Sequence, residues 1–170
     1  MKLLSPTAVQ QLVIPVLLKP SSKYVSFLAA TGSGKTLAYA LPLTQLLKNS
    51  ELFEQEDASS SNRKPRRPRA LILAPTRELA LQINTVCKQL AHHIKLSIQC
   101  VTGSDSIGKQ RKYLDRNLDV LIATPGRLNQ HVADHTVYLS KVEYVIVDEM
   151  DTMIEQGFGN DLTRILYPLL

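Results

Sequence analysis

The 170 residues suffice for one domain with its own core, and a composition of 44% hydrophobic and 21% charged residues argues against a disordered or fibrous chain. A formal net charge of +5 permits a polyanionic partner without requiring one. The two cysteines, Cys87 and Cys100, form no CxxC or Cys/His metal spacing, which points to a reducing compartment, and no apolar run is long enough to span a bilayer.

Lys2 and the apolar stretch Leu12 to Leu18 imitate a signal peptide, but Pro and Gln residues interrupt it and no small-residue cleavage site follows. Lys23 to Ala30 (KYVSFLAA) is rich in β-formers and is expected as a strand. Ala29 to Thr36 (AATGSGKT) then reads as a phosphate-binding loop opening a helix. Gly32 and Gly34 allow the backbone to curl so that successive N–H groups point at phosphate oxygens, and the helix N-terminus adds positive charge. Lys35 can reach the terminal phosphates, and the Thr36 hydroxyl suits Mg²⁺. The plain alternative is a chance Gly-Ser turn before a helix.

Leu37, Ala40, Leu41 and Leu47 share a helical face, with Pro42 expected to kink it. Asn49 to Arg69 is acidic, then Ser-rich, then basic (Arg63, Lys64, Arg66, Arg67, Arg69), and is expected to be a flexible, solvated surface insertion. Ala70 to Ala74, Leu96 to Val101, Asp119 to Ala123 and Tyr144 to Val147 read as short apolar strands. Between them, Leu79, Ala80, Ile83, Val86, Cys87, Leu90 and Ala91 follow helical spacing. Apolar strands alternating with helices predict a parallel sheet covered on both faces, with ligands at the carboxyl ends of its strands. One such end carries Asp148, Glu149, Met150 and Asp151. Asp148 is suited to holding the metal and Glu149 to orienting and deprotonating a water that attacks the γ-phosphate. Alone, this acidic group reads equally as a solvated turn.

The order of motifs resembles the DEAD-box RNA helicase family over nearly the whole chain outside 49–69. Thr7 and Gln10 in PTAVQ are similar to its Q motif, ATGSGKT to its phosphate loop, and DEMD to its hydrolysis motif. By that resemblance Thr7, Gln10, Ala30, Thr31, Gly32, Ser33, Gly34, Lys35 and Thr36 bind ATP, with the Gln10 amide selecting adenine, and Thr36 and Asp148 bind Mg²⁺. Lys35, Asp148 and Glu149 are the implied catalytic residues. Pro75, Thr76 and Arg77 (PTRELA), Gly103, and Thr124, Pro125, Gly126 and Arg127 (TPGR) are implied RNA contacts, made to the backbone without sequence reading. Taken singly, Thr76 reads as a helix N-cap and Pro125-Gly126 as a turn. Asp151 is implied to couple to a second lobe.

The resemblance implies an α/β, RecA-like P-loop NTPase domain over residues 1–170, incomplete at its C-terminal end and without the second RecA-like lobe. It implies RNA, a second lobe and ribonucleoprotein components as partners, no membrane, and an intracellular setting. DTM at 151–153 and GFG at 157–159 resemble organellar members. Met150 and Ser104 depart from the family pattern; the long Met150 side chain is expected to alter packing against the next strand, and Ser104 to weaken one backbone contact. These departures leave open a non-hydrolysing RNA scaffold. A P-loop ATPase acting on protein or DNA is the other alternative.

Overall fold

The computed structural model describes residues 5–19, 23–54 and 64–170. Its centre is a parallel sheet of four strands: β1 (Ala70–Leu73), β2 (Ile98–Val101), β3 (Val120–Ala123) and β4 (Tyr144–Val147), in spatial order β2-β3-β1-β4. β1 is held between β3 and β4, and all four of its residues are buried. Successive side chains point to opposite faces, so both faces need apolar cover and the sequence runs ALIL without a polar residue. Ala70 and Ile72 pack with α2 (Lys35–Glu54) and α3 (Arg77–Ile94). Leu71 and Leu73 pack on the other side with α4 (Ile107–Leu114), α5 (Pro125–Ala133), α6 (Met150–Glu155) and α7 (Gly159–Leu166). An amphipathic helix, α1 (Ala8–Leu17), lies along α2. Among the described residues no helix is long and apolar enough to cross a membrane.

Two expectations need correction. Lys23 to Ala30 forms no strand: Phe27 packs against the core, but Tyr24 is 71% and Leu28 96% exposed. β-forming side chains yield a strand only beside a hydrogen-bonding neighbour, and no strand of the sheet pairs with this segment. Likewise, among the described residues, β4 pairs with β1 alone, and Val145 on it is 36% exposed.

The segment from Asn49 to Arg69 is more ordered than its composition implies. α2 runs through Pro42 and on to Glu54. Residues 55–63, Arg63 included, lie outside the described residues, as does Lys2. Beyond them the chain is docked: Arg66 N–H donates to Leu114 O at 2.9 Å, and Pro65 bridges to Asn117. Arg69, expected in solvent, is fully buried. Its guanidinium lies 3.5 Å from Glu51, 3.8 Å from Asp119 and 3.2 Å from Glu143, and donates to Leu47 O and the Ser50 hydroxyl. Those acids come from three distant elements, so no local window of sequence pairs them with Arg69.

Candidate active site

The loop before α2 turns on two left-handed glycines, Gly32 at φ 78° and Gly34 at φ 92°. Ser33 N–H closes the turn on Ala30 O at 3.2 Å. A Cβ on Gly34 would meet Gln10 Nε2 at 2.5 Å and Thr7 Oγ1 at 3.1 Å, so the start of α1 packs directly on this loop. Thr7 caps α1 in a capping box: its Oγ1 accepts from Gln10 N–H, and Gln10 Oε1 accepts from Thr7 N–H at 3.0 Å. Gln10 Nε2 donates to Gly34 O at 3.2 Å. Gln10 is therefore buried and anchors α1 to the loop, with one N–H and one oxygen lone pair left on its amide.

The cradle fits a phosphate. α2 opens at Lys35, leaving first-turn N–H groups without intrahelical partners. Ser33 Oγ is buried and has no hydrogen-bond partner. Lys35 is half-buried, and no ion pair holds it among the described residues.

β4 delivers Asp148 to the same place. Asp148 N–H donates to Leu73 O at 2.9 Å, extending the ladder with β1, and the side chain is nearly buried. Its Oδ2 accepts from the Tyr39 hydroxyl at 2.8 Å, which ties the end of β4 to the first turns of α2. Burial, followed by the Asp148 charge, pushes the Tyr39 phenol far above its usual range, so it remains a donor. Asp148 and the Thr36 hydroxyl offer hard oxygens, and the described residues hold no group of three or more His, Cys, Asp or Glu that could cage a metal. That donor set suits Mg²⁺, which takes one or two side chains and completes its shell with phosphate oxygens and water.

Glu149 stands at φ 51°, ψ 51°, a left-handed conformation that costs an L-residue roughly 1–2 kcal/mol. Such strain persists where the surroundings impose it, and it concentrates at functional positions. Met150 belongs to neither core cluster. It opens α6 and is 48% exposed. Asp151 is exposed in the first turn of the same helix.

The proposed nucleic-acid residues occupy the other strand ends. Leu73 aligns with Ala123 and Val147, and Val101 with Ala123, so the segments after β2, β3, β1 and β4 leave the sheet side by side. Thr76 caps α3, its Oγ1 accepting from Leu79 N–H at 3.2 Å, and its own O–H stays free to donate. Arg77 and Gly126 are exposed, while Thr124 precedes α5 without a side-chain capping bond. Pro75 and Pro125 are both buried, shaping the turns that present their neighbours. Gly103 is exposed, and a Cβ there would meet nothing within 4 Å, so this backbone does not itself demand a glycine.

Sequence reasoning missed the polar layer behind these turns. The Arg127 guanidinium donates to Gly103 O, to Asp105 O at 3.0 Å and to Gln110 Oε1 at 3.2 Å. Gln110 Nε2 donates to Thr102 O at 2.8 Å, and its Oε1 lies 2.7 Å from His131 Nε2. Burial, then the Arg127 charge, lowers the His131 pKa; its Nδ1 lies 2.7 Å from Thr136 Oγ1, and the Thr136 hydroxyl donates to His131 O at 2.9 Å. Tyr39 was missed as well: it belongs to an apolar helix face, and its partner Asp148 is 109 residues away in sequence. Burial pushes the Cys87 thiol up to about 12 and the Cys100 thiol up to about 11, which makes both poor nucleophiles.

A family model described as DEAD/DEAH box helicase matches residues 7–169. A DEAD-box ATP-dependent RNA helicase of Arabidopsis thaliana, number 39, is 38% identical over 164 residues, covering 96% of this chain and 25% of its own length. The ATP-dependent RNA helicase RhlB of Shewanella frigidimarina is 39% identical over 161 residues, covering 95% and 35%. The chain thus spans about a quarter to a third of the length of these relatives. Among solved structures, a hypothetical ATP-dependent RNA helicase from Sulfolobus tokodaii superposes with a TM-score of 0.81 at 33% identity, covering 98% of this chain and 44% of that one. The yeast DEAD-box splicing factor Prp28 does so with the same score and identity, covering 98% and 37%.

Proposed function

Because this chain belongs to the DEAD/DEAH box helicase family, we propose that it is the nucleotide-binding lobe of an ATP-dependent RNA helicase. In this reading it grips RNA by its backbone and couples ATP hydrolysis to duplex unwinding or ribonucleoprotein remodelling. The observation that carries the reading is the shared sheet edge: the Tyr39–Asp148 bond brings the phosphate loop to one strand end, and Thr76 and Thr124 follow neighbouring ends.

The geometry supports the following roles. Gln10 offers its remaining N–H and lone pair to the adenine edge while holding the phosphate loop through Gly34 O. Lys35 and the N–H groups entering α2 bind the phosphates. Thr36 and Asp148 would hold Mg²⁺, which when bound supplies charge neutralisation to the transferred phosphoryl group. Glu149, at the left-handed turn that follows Asp148, accepts the proton of the attacking water. Arg77, the Thr76 and Thr124 hydroxyls and the Gly126 backbone contact RNA phosphates and sugars, which gives affinity without sequence preference. Arg127 holds the two turns at Gly103 and Thr124 in register.

Turnover, in this proposal, is completed by a second lobe to which Asp151 couples. The unpaired thiols support an intracellular setting. Competition binding tests the substrate class: labelled single-stranded RNA should be displaced by RNA of any sequence and poorly by DNA. Equal displacement by DNA would instead favour an ATPase with a different partner. Arg77→Ala should weaken RNA binding uniformly across sequences and reduce its salt dependence.

A further inference from the structure

Tyr39 belongs to the apolar face of α2 and packs with Leu43, Ile72 and Ala80. A phenylalanine would fill that position equally well. The hydroxyl is the part the core does not need, and it reaches Asp148 Oδ2 at 2.8 Å, joining residues 109 apart in sequence. Both groups are buried, Tyr39 at 4% and Asp148 at 9% exposure. Thr36 lies three residues earlier on α2, on the same side of the helix as Tyr39. Through Tyr39, therefore, α2 carries Thr36 and grips Asp148, the two side chains that the nucleotide-site reading assigns to the metal.

A carboxylate on a strand end can rotate about its side-chain torsions. A donor fixed in a packed core removes that freedom, taking one oxygen and leaving the other for a ligand. We propose that Tyr39 is a positioning residue, whose hydroxyl holds the Asp148 carboxylate in register with Thr36 before the Mg²⁺–nucleotide complex binds. The inference rests on the nucleotide-site reading and adds a residue to it.

The test compares wild type, Tyr39→Phe, Asp148→Asn and the double variant of the 170-residue chain. Binding of a fluorescent ATP analogue is titrated against Mg²⁺ and repeated in excess EDTA, with thermal melts alongside. Tyr39→Phe should leave metal-free nucleotide affinity unchanged and raise the Mg²⁺ needed for half-maximal effect by about tenfold, the usual scale for a group behind a metal ligand. In the Asp148→Asn background the same substitution should have no further effect. Wild-type Mg²⁺ dependence in Tyr39→Phe, or an equal loss in EDTA, overturns the inference while the site reading stands. A wild-type chain whose nucleotide binding ignores Mg²⁺ overturns both. As a check free of variants, the NMR signal of the Tyr39 hydroxyl proton should shift when Mg²⁺ joins the nucleotide-bound protein. A signal indifferent to Mg²⁺ overturns the inference equally.

Discussion

His131 shows how a single buried group sets a pH limit. Its pKa is held below the usual 6.5, first by burial and then by Arg127 and Arg111, against Asp134, which raises it. On acidification the unfolded chain takes up this proton near its ordinary pKa, while the folded chain resists until lower pH. The contribution to stability is thus complete above about pH 6.5 and declines as pH falls below it. The melting temperature should drop between pH 7 and pH 5.5, and His131→Asn should show a shallower drop; identical slopes would contradict the assignment. Gly34→Ala should weaken nucleotide binding strongly, because φ 92° strains any residue with a Cβ and the methyl group would push the Gln10 amide, 2.5 Å away, off Gly34 O; unchanged binding in a nucleotide titration would show that the loop can rearrange. The residues nearest the proposed chemistry were legible in the sequence because their types and spacing are the signal. Tyr39, Gln110 and His131 were not, since an apolar helix face and two unremarkable polar residues gain meaning only from partners brought by folding.

At the scale of elements, caps and buried charges dominate. Thr76→Ala should cost about 1 kcal/mol through the lost cap on α3, read by urea denaturation, with Thr76→Ser close to wild type. Arg69→Met should cost about 3–5 kcal/mol, because it removes the buried cation beside the fully buried Asp119 and the largely buried Glu51. A near-neutral result would mean that water reaches those acids. The strands β1 to β4 were readable from continuous apolar runs, and α3 from its 3.6-residue period. The stretch from Lys23 to Ala30 misled because propensity describes side chains, whereas a strand needs a neighbour. Residues 64–69 misled in the opposite direction: a basic run looks solvated until acids from three other elements converge on Arg69.

The molecule as a whole places two chemistries on one edge. A parallel sheet delivers every strand's carboxyl end to the same side, so the proposed nucleotide site at β4 and α2 and the proposed RNA contacts after β1, β3 and β2 become neighbours about 5 Å apart per strand. That adjacency is what the proposed coupling of hydrolysis to RNA requires. It is tested most directly by ATP hydrolysis with and without single-stranded RNA, by this chain alone and by a form joined to a second lobe, each beside Glu149→Gln. The chain alone should turn over slowly. The joined form should be stimulated by RNA, and Glu149→Gln should still bind ATP while losing turnover. A joined form that binds ATP and RNA yet never hydrolyses, or stimulation that survives Glu149→Gln, would contradict the account.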